Sequence, residues 1–339
     1  MNFITGATGL LGSQVLVDLI ELKQPVRALV RKNSSKHLIY QRLSAKNISL
    51  DTLNELTEWI EGDMNDPLFL EEATKGIKNI YHCAGIVSFS PQDKEILDNV
   101  NYKGTRNIVN AALENNIEKF GFVSSIATLG RANSGSSISE ETKWETTNNN
   151  SYYAKSKYKA EMEVWRGVAE GLNAIIINPS IILGEGNWEK GSSALFNTVL
   201  KGNKFYTYGV NGFVDVQDVS KSFIYLMQSN IQNERFILSA ENVVYKDLFT
   251  MIAKHLNVPA PKYYASPFLS QIAWRVEFLI SIITRKKPLI TKATARTAKN
   301  KYYYDTSKLN KSINFKLKSI EETIERISKA YLIEIKRPN

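Results

Sequence analysis

The chain has 339 residues, of which 43% are hydrophobic and 23% charged, a composition that suits one large or two modest globular domains and excludes a disordered or collagen-like chain. Its single cysteine, Cys83, excludes an intramolecular disulfide and favours a reducing compartment, and its three histidines show no metal-ligand spacing, so we expect no metal site. The formal net charge is +9, and residues 253–339 alone carry 18 basic and 6 acidic side chains, a net of +12.

Short β-branched runs alternate with helical patterns through the first 180 residues. The predicted strands are Asn2–Thr5, Val26–Val30, Trp59–Ile60, Asn79–His82, Lys119–Ser124 and Ala174–Ile177. The predicted helices are Leu10–Leu22, Leu68–Lys75, Asn101–Glu114 and Ser151–Glu170. Strands that alternate with helices in this way form a parallel sheet with helices on both faces, so the sequence predicts a doubly wound α/β (Rossmann) fold.

The alternation weakens after residue 180. Gly184–Tyr208 and Pro259–Pro267 show no regular hydrophobic period, and we expect both to be irregular. We therefore predict a nucleotide-binding domain at residues 1–178, to which residues 212–240 return. A smaller substrate-binding lobe is predicted at residues 179–211 and 241–339.

The sequence shows neither a secretory signal nor a membrane span. The first residues lack the basic and apolar regions of a signal peptide. The most apolar stretch, residues 268–284, is interrupted by Arg275 and Glu277 and falls short of the roughly 20 apolar residues that a span needs. We expect a cytoplasmic protein with no integral membrane segment.

A glycine-rich loop follows the first predicted strand and opens the first predicted helix. Its glycines are spaced G-x-x-G-x-x-G, which permits a tight turn, close approach of a pyrophosphate to backbone N–H groups, and tight helix–strand packing. A purely structural glycine turn is the alternative. We expect the loop to bind a dinucleotide through Gly6, Thr8, Gly9, Leu10, Leu11 and Gly12.

The end of the second predicted strand bears on which dinucleotide is bound. An acidic residue about 20 positions beyond the loop would bind the ribose 2′-hydroxyl of NAD. Arg31 stands there instead, followed by Lys32, and a guanidinium pairs bidentately with a 2′-phosphate. The sequence predicts NADP, with Arg31 as the main contact and Lys32 as a second. A surface arginine without a role is the alternative.

Tyr153 and Lys157 are four residues apart and lie one above the other on a predicted helix. A nearby ammonium lowers the pKa of a phenol, which would make Tyr153 a usable general acid and base. Tyr304 and Lys308 repeat the spacing. The first pair follows the strand that ends at Ser124, and ligands of open α/β sheets bind at the carboxyl edge of such strands. The second pair lacks such a strand, and we interpret it as structural.

Seven segments, in family order, resemble motifs of the extended short-chain dehydrogenase/reductase family. They are residues 5–12, 62–64, 82–85, 101–105, 123–125, 153–161 and 214–219. The resemblance implies that Ser125, Tyr153 and Lys157 form the catalytic set. It implies Asp63 and Met64 near the adenine and Ala84 and Gly85 in the cofactor groove, and further cofactor contacts from Asn101, Ser124, Tyr153, Lys157 and Pro179.

The chain resembles above all the branch of dihydroflavonol reductases and 3β-hydroxysteroid dehydrogenases. Arg31 replaces the acid typical of NAD-bound sugar epimerases, and Asn178 stands where nucleotide-sugar enzymes usually carry arginine. Glu185 follows Gly184 where those enzymes usually show proline. The resemblance implies NADP-dependent reduction of a small ketone or aldehyde to an alcohol, with Ser125 polarising the carbonyl and Tyr153 delivering the proton.

Other functions stay open at the level of the sequence. An NDP-sugar epimerase or dehydratase of the same family would keep its cofactor bound, and its anionic substrate would suit the basic C-terminal third. A sensor that binds NADP without chemistry commonly lacks the tyrosine or the lysine, and this chain retains both. The basic third also suits an acidic membrane surface or a solvated lysine-rich face, and it carries no nucleic-acid motif. Family members often form homodimers.

Overall fold

The computed structural model describes residues 1–131, 136–147, 150–266, 268, 272, 274–276 and 291–336. The apolar stretch 268–284 therefore lies largely outside the described residues. Within the described part of the chain, the helices are all too short or too polar to cross a membrane.

Strands of the described residues form three sheets. In chain order they are β1 (Asn2–Thr5), β2 (Val26–Val30), β3 (Thr57–Glu61), β4 (Asn79–His82), β5 (Lys119–Val123), β6 (Ala174–Pro179), β7 (Ile181–Leu183), β8 (Phe205–Tyr206), β9 (Val210–Asp215), β10 (Glu234–Leu238), β11 (Glu241–Val244) and β12 (Tyr263–Tyr264). Seven of them form a wholly parallel central sheet in the order β10-β6-β5-β4-β1-β2-β3. All six predicted strands lie in it.

Helices connect the strands. In chain order they are α1 (Leu10–Glu21), α2 (His37–Ala45), α3 (Leu50–Leu56), α4 (Pro67–Ala73), α5 (Lys94–Leu97), α6 (Gly104–Glu114), α7 (Tyr152–Ala169), α8 (Ala194–Leu200), α9 (Val216–Gln228), α10 (Tyr245–Leu256), α11 (Lys292–Thr297), α12 (Ser307–Ser312) and α13 (Ile320–Lys336). A π-helix, Asp98–Lys103, precedes α6, where the sequence predicted an α-helix from Asn101.

Both faces of the central sheet are covered by helices. Ile4 and Ile175 pack on one face beneath α1, α2 and α9, whereas their neighbours Phe3 and Ile176 pack on the other beneath α4, α6 and α7. Successive side chains of a strand point to opposite faces, so burial on both faces explains why these strands are continuous apolar runs. The predicted doubly wound α/β fold is confirmed.

A second hydrophobic core lies outside the central sheet. It joins α8, α10 and α13 to the small sheet of β11, β9 and β7. The expectation that 184–208 is irregular is wrong, because Phe196 and Val199 are buried one helical turn apart in α8. Residues 259–267 likewise contain β12, which needs the distant β8 as its partner. The predicted division into domain and lobe stays a prediction.

The chain changes direction across the sheet between β1 and β4. From β1 it runs outward to β2 and β3, then crosses back to β4, β5 and β6 on the other side. Such a switch opens a crevice at the carboxyl edge of the sheet, and ligands of open α/β folds bind there. The loops after β1, β4 and β5 border this crevice.

Candidate active site

The glycine loop after β1 leaves room for an anion beside backbone N–H groups. Gly6 has φ +69°, and a Cβ there would lie 2.7 Å from the Ala84 nitrogen. A Cβ on Gly12 would lie 2.1 Å from the Gly6 oxygen, so both positions exclude a side chain. Because α1 begins at Leu10, the N–H groups of its first turn have no helical acceptor. The loop thus fits the pyrophosphate of a dinucleotide.

Basic side chains lie at the end of β2, beside this loop. Arg31 and Lys32 are both exposed, and the Arg31 N–H donates to Ser34 Oγ over 3.2 Å in a tight turn. Lys36 Nζ lies 3.6 Å from the centre of the Trp59 ring on β3. The sequence reasoning missed Lys36, although it belongs to the same basic segment. The carboxyl end of β2 therefore carries three cationic side chains.

The loops after β3 and β4 continue the groove. Asp63 and Met64 follow β3, and Met64 is buried. Ala84 and Gly85 follow β4, and a Cβ on Gly85 would lie 3.8 Å from Lys157 Nζ. The groove predicted for the cofactor thus leads directly to the predicted catalytic lysine.

Two of the other predicted cofactor contacts bind protein partners. Asn101 is buried in the π-helix, where its Oδ1 accepts from the Ile86 N–H over 2.7 Å and its Nδ2 donates to Ser156 Oγ over 3.0 Å. Ser124 is buried and its hydroxyl donates to Glu161. Both side chains hold the edge of the site together. Direct contact of Asn101, Ser124 or Pro179, the last residue of β6, with a cofactor stays a prediction.

His82, at the end of β4, connects three elements beneath the groove. Thr105 Oγ1 donates to the Asn101 carbonyl over 2.6 Å, so it accepts from His82 Nε2 over 2.9 Å. His82 Nδ1 then accepts from Thr5 Oγ1 over 2.6 Å, and Thr5 Oγ1 accepts from the Ala84 N–H. Burial lowers the pKa of His82 to about 3, so the ring is neutral. The sequence contained no signal for this chain of hydrogen bonds.

Ser125, Tyr153 and Lys157 come together at the carboxyl end of β5. Ser125 follows the strand, and α7 brings the tyrosine and the lysine to it on one helix face. Ser125 and the Tyr153 phenol are hydrogen-bonded through their side chains. Lys157 Nζ donates to the Val123 carbonyl over 2.7 Å and lies 4.3 Å from the centre of the Phe122 ring. A carbonyl oxygen placed between Ser125 and Tyr153 would meet two hydroxyl donors.

The protonation of this group differs from the expectation. Burial raises the pKa of the Tyr153 phenol above its ordinary value, and the hydrogen bond with Ser125 opposes that rise. Burial lowers the pKa of Lys157 to about 7, opposed by the nearby charge of Glu161. The expected lowering of the phenol's pKa by the lysine is not found. Tyr153 therefore holds its proton at neutral pH.

The shifted pKa of Lys157 predicts a pH dependence of stability. The folded value near 7 lies below the ordinary 10.5, so the folded chain binds fewer protons between them and its stability rises with pH over this range. Urea unfolding from pH 6 to pH 9 should show the wild type gaining roughly 2–3 kcal/mol relative to Lys157→Met. A difference that is constant with pH would contradict the assignment.

A buried carboxylate lies behind the predicted catalytic set. Glu161, one helical turn after Lys157, has no exposed surface. Its Oε2 accepts from Ser124, from Thr128 over 2.7 Å and from Asn178 over 2.9 Å. Its Oε1 pairs with Arg235 of β10 over 3.1 Å. The carboxylate thus ties the ends of β5 and β6 to α7 and β10.

An exposed apolar loop borders Tyr153. Phe89 contacts the Tyr153 ring edge-on, with the ring centres 5.7 Å apart. Phe89 is 39% and Val87 64% exposed, although both are apolar. Sequence reasoning missed both, since the loop after β4 has no periodic pattern. Phe89 and Val87 form an exposed apolar wall on this loop, and Phe89 places it beside Tyr153.

The second tyrosine–lysine pair lies elsewhere. Tyr304 is buried, and burial raises the pKa of its phenol. Lys308 pairs with Glu234 and donates to the Arg235 carbonyl over 2.9 Å, so it supports β10.

Among the residues that the structure describes, no three His, Cys, Asp or Glu side chains lie close enough together to hold a metal ion.

Comparisons with known proteins identify relatives over most of the chain. The chain is 27% identical over 332 residues to the "Putative dihydroflavonol 4-reductase" of Synechocystis sp., covering 95% of this chain and 92% of that protein. It is 27% identical over 262 residues to cinnamoyl-CoA reductase 1 of Petunia hybrida, covering 74% and 76% of the two chains.

Solved structures show the same fold. The crystal structure of UDP-glucose 4-epimerase from Thermotoga maritima matches 99% of this chain and 100% of its own, with a TM-score of 0.77 and 18% identity. The model of the NAD-dependent epimerase/dehydratase family matches residues 2–238, which include the glycine loop, the predicted catalytic set and β10. The chain therefore belongs to the NAD-dependent epimerase/dehydratase family, within the extended short-chain dehydrogenases/reductases.

Proposed function

We propose that the protein is an NADP-dependent oxidoreductase that reduces a ketone or aldehyde to an alcohol. The observation that carries the proposal is the meeting of Ser125, Tyr153 and Lys157 at the edge of β5, beside a groove that fits a dinucleotide. A bound NADPH would supply the hydride for the carbonyl carbon. Ser125 would donate a hydrogen bond to the carbonyl oxygen, where negative charge develops, and Tyr153 would deliver the proton.

Different residues of the chain would hold different parts of the cofactor. The first turn of α1 would hold the pyrophosphate, and Arg31 with Lys32 would hold a 2′-phosphate. Gly85 lies close to Lys157, where the nicotinamide end of the cofactor would reach the lysine. Lys157 would then bind the ribose and orient the phenol. The neutral His82 keeps the Ala84 N–H and the π-helix in register beneath the groove.

The apolar wall supports an apolar carbonyl substrate over a sugar nucleotide. Val87 and Phe89 would contact an aryl or alkyl group next to Tyr153. Asn178, at the position where nucleotide-sugar enzymes usually carry arginine, is buried and donates to Glu161. An NDP-sugar epimerase or dehydratase is the second candidate, and the basic C-terminal third is the feature that favours it. The chain has a single thiol, so a reducing cytoplasmic location suits either function.

The activity is tested by following NADPH consumption with aryl aldehydes, ketosteroids, flavanonols and NDP-keto-sugars. We expect consumption with an apolar carbonyl and none in Tyr153→Phe. Tightly bound NAD(H) in the purified protein, with an NDP-sugar converted and no net NADPH used, would support the epimerase instead. NADPH binding without turnover of any class would support the sensor.

The cofactor preference is tested by Arg31→Ala. Loss of one charge-assisted contact to a 2′-phosphate should raise KM for NADPH about 10- to 100-fold and leave KM for NADH unchanged. Lys78→Ala, a basic residue outside the groove, is the matched control. Equal effects on the two cofactors, or no effect on either, would contradict the role of Arg31.

A further inference from the structure

The loop after β7 lies against the start of α1, and we call its residues 184–188 the strap. A Cβ added to Gly184 would lie 3.2 Å from Leu10 Cδ1, and a Cβ added to Gly186 would lie equally close to that atom. Both glycines therefore allow the backbone of the strap to rest directly on Leu10. Leu10 begins α1, and the N–H groups of this first turn, which lack a helical acceptor, are those that would hold the pyrophosphate. The strap thus borders the predicted cofactor groove.

One buried guanidinium joins the strap to the glycine loop. Arg42 of α2 is buried, and its Nη1 donates to Ser13 Oγ of α1. Ser13 Oγ donates in turn to the Gly9 carbonyl over 2.6 Å. Arg42 Nη2 donates to the Glu185 carbonyl over 3.2 Å. Because the guanidinium is planar and rigid, its two donors fix the spacing between the start of α1 and the strap.

A second arginine holds the carboxylate of the strap. Arg326 of α13 donates to Glu185 Oε1 through Nη1. Its Nη2 donates to both carboxylate oxygens of Asp215, over 3.0 and 2.9 Å, and Asp215 has no exposed surface. Asp215 also accepts from the Gln217 N–H and so caps α9. Glu185 is therefore attached by its carbonyl to Arg42 beside the glycine loop and by its carboxylate to Arg326 in the second core region.

The far end of the strap packs on the same C-terminal helix. The Trp188 ring stacks on Tyr331 of α13 with the ring centres 4.2 Å apart, and its Nε1 donates to Glu334 Oε2 over 2.9 Å. Gln41, the neighbour of Arg42 on α2, donates to the same oxygen over 3.2 Å. The strap, α2 and α13 are thus connected to one another at both ends of the strap.

We propose that Glu185 is a positioning residue for the cofactor, which holds the strap against the first turn of α1 and so slows the release of a bound dinucleotide. The proposal rests on the proposed binding of NADP and adds a residue that acts on a different part of the molecule. The strap borders the turn that would hold the pyrophosphate, which NADPH and NADH both contain. Arg31 and Lys32 would contact the 2′-phosphate, which NADH lacks. Loosening the strap should therefore affect both cofactors equally.

Glu185→Gln tests the proposal, because it removes the charge that pairs with Arg326 and keeps the carbonyl that accepts from Arg42. The fold should persist, since Arg326 retains Asp215. We expect the dissociation rates of NADPH and NADH each to rise about tenfold or more, for the loss of one charge-assisted contact. Stopped-flow displacement of the bound reduced cofactor by an excess of its oxidised form measures both rates. Single-turnover reduction at saturating NADPH should change less than about twofold, so KM rises without a matching fall in kcat.

Glu189→Gln is the matched control, because it makes the same change at an exposed position just beyond the strap, and it should release both cofactors at the wild-type rates. Arg42→Lys keeps the buried charge but loses the planar fork, so it should also raise both rates, and it decides the question if Glu185→Gln does not fold. Unchanged rates in the folded variant would overturn the proposal, as would a change confined to NADPH or an equal change in Glu189→Gln. A wild-type protein that binds neither cofactor would instead contradict the proposed function, and this inference with it.

Discussion

Replacing Tyr153 with phenylalanine is expected to lower kcat for the carbonyl substrate at least about 100-fold while leaving NADPH affinity unchanged. The phenol is the group that holds a proton beside Ser125, and burial raises its pKa. The ring itself, and its edge-on contact with Phe89, would be retained. Single-turnover reduction at saturating NADPH measures the loss, and fluorescence titration of NADPH measures binding.

Tyr152→Phe is the matched control, because it removes a hydroxyl from the neighbouring position. Tyr152 is 42% exposed and directs its ring toward Lys94, so turnover should be unchanged. Full turnover in Tyr153→Phe would refute the proposed proton donor. A parallel loss of NADPH binding would show that the phenol supports the fold of the site rather than the chemistry.

Glu161→Gln is expected to destabilise the fold by about 3–5 kcal/mol, because it leaves Arg235 without its buried counter-charge. The same change should lower the pKa of Lys157 below about 7, since the carboxylate is the largest influence that raises it. Urea unfolding measures the first effect. The pH dependence of unfolding measures the second, with the steep region moving to lower pH.

Glu163→Gln provides a control two residues along the same helix. Glu163 pairs with Arg166, which keeps Glu170 as a second partner, so the cost should stay below about 1 kcal/mol. Combining Glu161→Gln with Arg235→Gln should cost less than the sum of the two single changes. Strict additivity would mean that the two charges do not stabilise one another.

The strands of the central sheet could be predicted from the sequence where burial on both faces makes every residue of the strand apolar. β1, β4 and β6 are buried on both faces, and this produces apolar runs that any reading of the sequence detects. β10 was missed because it begins with Glu234 and Arg235. Their charges are satisfied by Lys308 and Glu161, which lie more than 70 positions away in the sequence. The residues next to β10 in the sequence do not indicate these distant partners.

The sequence predicts which residues form the candidate site better than it predicts their pKa values and protonation states. Tyr153 and Lys157 share a helix face by spacing alone. The pKa of Lys157 depends instead on burial and on the charge of Glu161, and the neutral state of His82 depends on its burial. These are properties of the assembled sheet edge. Phe89 was missed for the same reason, because only the fold brings its loop to the tyrosine.

The position of β10 has a consequence for how the protein is made. The central sheet is completed by residues 234–238, so a nascent chain that has reached residue 178 still exposes the backbone of β6 along an open edge. Glu161 is then already made, and its partner Arg235 is still to be synthesised. Any contiguous fragment of the gene that encodes the complete sheet therefore also encodes β7 and β9, so the sheet cannot be separated from these two strands by truncation.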